Sequence, residues 1–143
     1  MSETEYQVNY KIFVTKSARK HGRKLGISKP ALKEVIEQVK RLKHWPDNEN
    51  EFTYEMAFGA IKFSFDFVEG HWIRVYVFKD DFRKFMWVIR VTNKKTNALT
   101  TADRISVETA VSEIKREVDF LKRQQLKQEA QPILKSLKGG KSE

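Results

Sequence analysis

The sequence predicts an α+β fold: an antiparallel meander sheet packed on one face by two N-terminal helices, plus a long C-terminal helix. Three observations carry that expectation. Apolar residues recur with period two over residues 6–14, with helical spacing over 29–44, with period two again over 52–91, and with helical spacing from 102 onward. Aromatic and β-branched residues crowd into the 52–91 stretch. The strands there follow one another without intervening helices, which is the order of an antiparallel sheet with helices segregated to a face or an end.

The first element alternates Tyr6, Val8, Tyr10 and Ile12 against Gln7, Asn9 and Lys11, so a strand is expected over Tyr6–Val14. Thr15 can cap a short basic helix to about Leu25, which Gly22 and Gly26 weaken and end. Ser28 then precedes Lys29-Pro30, an N-cap with proline in the first turn. Leu32, Val35, Ile36, Val39 and Leu42 follow on one face, predicting a helix over 29–44. Pro46 and its polar neighbours close that helix.

Period two over Phe52–Phe58 predicts a strand, Gly59-Ala60 a turn or bulge, and Ile61–Phe67 a second strand. Val68-Glu69-Gly70-His71 reads as a hairpin turn. Trp72–Phe78 and Arg83–Val91 complete a meander through the turn Lys79-Asp80-Asp81-Phe82. Val107, Ala110, Val111, Ile114, Val118 and Leu121 then mark a helix from about Ala102 to Lys127. The chain is thus expected to be one domain over residues 1–127 with a flexible tail over 128–143.

Composition bounds the function. Among 143 residues, 28 Lys and Arg face 19 Asp and Glu, for a net charge of +9, and there is no cysteine. Disulfide frameworks, thiolate metal sites and thiol nucleophiles are excluded. No run approaches the ~18 apolar residues of a membrane span, and the acidic N-terminus lacks a signal-peptide core, so a cytoplasmic protein without a membrane partner is expected. The charge is clustered: residues 11–45 hold 11 basic and 2 acidic side chains, and residues 73–104 hold 8 and 3. Between them, residues 46–72 hold 1 and 6. Basic blocks of this kind suit a polyanion.

Strand parity sharpens that. If Phe63, Phe65, Phe67, Ile73, Val75, Val77, Phe85, Trp87, Ile89 and Val91 face the core, then Lys62, Ser64, Asp66, Trp72, Arg74, Tyr76, Phe78, Met86, Val88, Arg90 and Thr92 share the opposite face. Lys94 and Lys95 follow the last strand, so an open cationic groove is expected. No phosphate-loop, metalloprotease or EF-hand motif is present, and His21, His44 and His71 stand in unrelated contexts, so no metal site and no small-molecule cofactor are expected. The Asp80-Asp81 pair is accounted for by its turn. Such a groove suits an RNA phosphodiester, whose own 2′-hydroxyl is the nucleophile. Arg74 and Arg90 offer forks for phosphate oxygens, Lys94 and Lys95 mobile charges, and Tyr76 a proton or a stacking ring. A binding platform without chemistry fits the same residues.

The order of elements, Arg74 within Trp72-Ile73-Arg74-Val75-Tyr76, and Asn93-Lys94-Lys95-Thr96 after an apolar strand together resemble the RelE/HigB superfamily of type II toxins, especially its phage-derived Gp49-like branch. The likeness covers about residues 6–121. It implies a RelE-like fold and a metal-independent endoribonuclease that cuts mRNA at the ribosome and is held inactive by a cognate antitoxin. Arg74, Tyr76 and Arg90 would then be catalytic, and Lys62, Lys94 and Lys95 would bind RNA. Arg90 stands where relatives often carry histidine. The alternative is a non-catalytic RNA- or ribosome-binding protein of phage or mobile-element origin.

Overall fold

A computed structural model describes residues 6–66, 70–93 and 100–142, with side chains through residue 130. Strand β1 (Lys11–Val14) leads into helix α1 (Lys16–Gly22) and helix α2 (Lys29–Lys40), which tightens into a 3-10 turn over Arg41–His44. Strands β2 (Thr53–Ala57), β3 (Ala60–Phe65), β4 (Ile73–Asp80) and β5 (Phe85–Asn93) follow, and helix α3 begins at Thr101. Phe67 and the first half of the expected 68–71 turn lie outside the described residues. The sheet order is β1-β5-β4-β3-β2.

Both N-terminal helices start where their caps dictate. Thr15 Oγ1 accepts from the amide of Ala18, and Ser28 Oγ accepts from the amide of Ala31, each satisfying one orphaned donor of a first turn. Sheet and helices are therefore of the expected class, but the sheet is mixed rather than a pure antiparallel meander. Strand β1 pairs parallel to β5, Lys11 opposite Phe85 and Val14 opposite Val88. It is also shorter than expected, because the amides of Asn9 and Tyr10 bond to the Lys43 carbonyl instead of a strand. The Asn9 amide group donates to the Trp45 carbonyl and to Asp47 as well.

The core lies between the sheet and the two N-terminal helices. Phe63, Ile73, Val75, Val77 and Met86 from the strands meet Ala18, Leu25, Val35 and Leu42, all buried. Trp45 stands edge-on to Phe63, with ring centres 5.2 Å apart. Burying side chains of this size stabilises the fold by about 1.5–3 kcal/mol each.

One irregularity corrects the expected parity. The β4–β5 register runs Tyr76 opposite Arg90 and then Val77 opposite Val88, so Ile89 is an extra residue on β5. A bulge of this kind moves every residue on one side of it to the other face. Met86 and Val88 consequently join the core, and Phe85 and Trp87, expected there, turn to the opposite face with Phe13.

The chain divides into two units, residues 1–111 and 112–143. The second consists of the remainder of α3, whose backbone stays helical through Ser142. The expected helix end at Lys127 is thus corrected: the helix continues, in keeping with the high helix preference of the Leu, Lys, Arg, Gln, Glu and Ala residues that fill 121–130. No described helix is long and apolar enough to cross a membrane.

Candidate nucleic-acid interface

The predicted residues converge on two cross-strand rows. One runs Glu55, Lys62, Tyr76 and Arg90 across β2, β3, β4 and β5, and the next runs Thr53, Ser64, Arg74 and Thr92. Residues directly opposite one another share a face, so Lys62, Arg74, Tyr76 and Arg90 stand on one wall, as parity predicts. Lys94 and Lys95 lie outside the described residues.

The expected openness of that wall is corrected by what lies on it. Tyr76 is fully buried, Arg74 retains 5% of its exposure, and the Arg90 side chain 12%. The first three turns of α3 cross the sheet here. Asp103 forms an ion pair with Arg90, the Arg104 guanidinium sits 5.1 Å from the centre of the Phe58 ring, and Val107 is fully buried. Val111 lies close against Gly59 in the β2–β3 turn. These contacts carry the helix from β5 across β4 to the far turn.

Each cation of the wall has a carboxylate. Lys62 pairs with Glu55, whose pKa the ammonium holds below the usual carboxylate range, and Arg74 Nη1 donates to Asp66 at 2.8 Å. Arg90 pairs with Asp103 and also reaches His21, its Nη1 lying 2.8 Å from Nε2. A His21 tautomer with hydrogen on Nδ1 donates to the Ser17 carbonyl at 2.7 Å and leaves Nε2 to accept from Arg90. Thr100 organises the plug: its hydroxyl donates to Asp103 at 2.7 Å and accepts the Asp103 amide at 3.1 Å.

The wall is nonetheless poorly satisfied. The Tyr76 hydroxyl, Thr92 Oγ1 and Arg90 Nε are buried without a hydrogen-bond partner among the described residues. Burial, with the nearby Asp103 charge, pushes the Tyr76 phenol up to about 12, against an opposing pull from Arg74. Buried polar groups are normally paired, so three orphans on one wall are unusual. Asp103 and His21 were not anticipated from the sequence. A sign of Asp103 was present, since Thr100-x-x-Asp103 is a helix-start pattern that places a carboxylate in the first turn.

The other predicted features separate from the wall. Asp80, 1% exposed, accepts from Arg83 Nε at 2.6 Å and from the Arg83 amide, which closes the β4–β5 turn. His44 is buried on the Gln7 carbonyl, and His71 contacts Asn93.

Two cationic surfaces remain. From Thr15 to Lys33 there is no acidic residue, and Lys16, Arg19, Lys20, Arg23, Lys24, Lys29 and Lys33 are all exposed. Beyond the bulge, Phe13, Phe85 and Trp87 cluster with ring centres 4.5–5.8 Å apart, beside Lys11 and Arg83. A groove of about 1260 Å³ opens elsewhere, lined in part by Glu34, Glu37, Arg41 and His71. Its mixed charge does not suit a polyanion. Neither the models of known protein families nor the curated proteins include a match to this chain.

Proposed function

We propose that this protein binds RNA, free or in the ribosome, by laying the phosphate backbone along the exposed cations of α1 and the start of α2, without cleaving it in the closed form described above. The observation that carries this reading is the acid-free tract: seven solvated cations between Thr15 and Lys33 with no carboxylate among them. Such cations release condensed counterions when they meet phosphates, which gives affinity without sequence preference. The aromatic and cationic cluster around Trp87 adds ring faces of the kind that stack unpaired bases. Fluorescence anisotropy with a single-stranded RNA tests it. Affinity is expected to fall steeply between about 50 and 200 mM salt, as counterion release requires. Binding that ignores salt counts against the proposal.

A second reading is favoured by the two cross-strand rows. Lys62, Arg74, Tyr76 and Arg90 form a set suited to a metal-independent mRNA endoribonuclease, the toxin of a toxin–antitoxin pair. The two guanidiniums would hold the phosphate as charge builds on its oxygens, the RNA 2′-hydroxyl would attack, and Tyr76 would exchange a proton. Because the wall is covered, this reading requires the first turns of α3 to move. Induction of the wild type should then cut transcripts and arrest growth, and Arg74→Ala should do neither. Equal cleavage by both eliminates the assignment.

A further inference from the structure

The first three turns of α3 sit on a surface that is badly matched to them. A helix seated permanently on a sheet is expected to meet apolar side chains, as α1 and α2 do on the other face. Here Asp103 and Ser106 meet Arg90, and buried Val107 and Val111 lie over the sheet face that also carries Lys62, Arg74, Tyr76 and Thr92. The hydroxyls of Tyr76 and Thr92, on residues 0% and 6% exposed, receive no partner in return among the described residues. Asp103 supplies the main polar contact, placing an anion on the Arg90 guanidinium within reach of a cap built by Thr100. Ser106 adds only a long contact of 3.5 Å to Arg90.

We infer that residues 101–111 form a latch in which the Asp103 carboxylate occupies the position of a phosphate on Arg90, and that a phosphodiester of single-stranded RNA opens the latch by taking that place. The inference rests on the second reading above, in which RNA reaches the wall, and adds how the wall is kept shut. The exchange conserves charge at the guanidinium, since one anion leaves as another arrives. It also gives the orphaned hydroxyls a task, because a phosphate and its ribose offer acceptors and donors that the helix does not. The segment is held by Asp103 on Arg90 at one end, by Arg104 over Phe58 and the buried Val107 between, and by Val111 against Gly59 at the other. Opening the segment therefore need not disturb the opposite face, where the core lies.

Hydrogen exchange on the full chain, read by mass spectrometry with and without a single-stranded RNA of about 20 nucleotides, tests the latch. Asp103→Asn keeps the shape of the side chain and its capping oxygen but removes the charge. Without RNA, it is expected to speed exchange over residues 101–111 by about tenfold or more while β3 and β4 stay protected. It should also tighten RNA binding by about tenfold, since the intramolecular competitor is weakened. Thr100→Ala, which loosens the cap from the solvent side, should act in the same direction and serves if the first variant unfolds. Unchanged protection of 101–111 in both variants overturns the latch, and RNA bound to the wild type with the segment still protected overturns its opening by a phosphodiester. Faster exchange with unaltered RNA affinity upholds the latch and instead removes RNA from the wall.

Discussion

Replacing Tyr76 with phenylalanine should stabilise this protein, against the usual sign for truncating a buried side chain. The ring is fully buried, and its hydroxyl has no hydrogen-bond partner among the described residues. An orphaned buried hydroxyl costs about 1–3 kcal/mol, whereas the ring packing is retained in Phe, so a gain of about 1–2 kcal/mol at pH 7 is expected. For a chain of this length that corresponds to roughly 3–8 °C in Tm. Alkali should widen the gap. The phenol is held up to about 12 by burial and by Asp103, so its neutral form is the one the fold favours. That contribution is complete below pH 10, the ordinary tyrosine value, and is lost as pH rises from 10 through 12. Two pH units are worth about 3 kcal/mol in the wild type, and the phenylalanine variant has no phenol to titrate there. Urea unfolding of both proteins, followed by circular dichroism from about pH 7 to 11.5, measures the difference directly. A loss of about 1 kcal/mol or more in Tyr76→Phe at pH 7, or a gap that stays constant above pH 10, refutes the claim that the hydroxyl is both orphaned and held neutral.

Further outcomes follow from other parts of the fold. Changing Arg19, Lys20, Arg23 and Lys24 together to glutamine should leave the thermal midpoint nearly unchanged and lower the salt slope of RNA binding by about 0.7 for each phosphate no longer neutralised. Gly59→Ala should destabilise by about 1–2 kcal/mol in chemical denaturation, because φ is +83° and the new Cβ would stand 3.1 Å from Val111 Cγ1. Asp81 accepts a hydrogen bond from Tyr10. Burial acts to raise the Asp81 pKa, but Tyr10, Lys79 and Lys84 outweigh it and hold the carboxyl below its usual range. Its contribution is therefore full above the ordinary carboxylate value and disappears as pH falls through the lower native one. Asp81→Asn should show a flatter acid limb than the wild type below about pH 4 in pH-dependent unfolding.

The parts of this fold that local chemistry controls were legible in the sequence. Thr15 and Ser28 mark both helix starts because a cap needs only its own hydroxyl and an amide three residues on. The strands of the 52–91 stretch were legible through their alternation. Parity was read correctly over Arg74, Tyr76 and Arg90 but not over Phe85 to Val88, since both parities of β5 are apolar and nothing in the pattern marks Ile89 as extra. The parallel pairing of β1 with β5 joins residues more than 70 positions apart and leaves no local trace. The closure of the wall was hidden for a related reason. Counting charge by blocks credits Arg90 to a positive region, while Asp103, 13 residues on, returns through the fold to sit on it.

The single inserted residue at Ile89 has a wider effect than its size suggests. By reversing the sidedness of β5 midway, it lets one nine-residue strand present guanidinium and hydroxyl groups at one end of a surface and stacked rings at the other, while valine and methionine line the reverse side throughout. A ladder that took Ile89 in regular register would swap Phe85 and Trp87 with Met86 and Val88, burying indole where the interior is shaped for smaller chains. It would also oblige β1 to rotate with them, because Phe13 follows Trp87 in register. The bulge thus keeps two chemically unlike halves on one sheet.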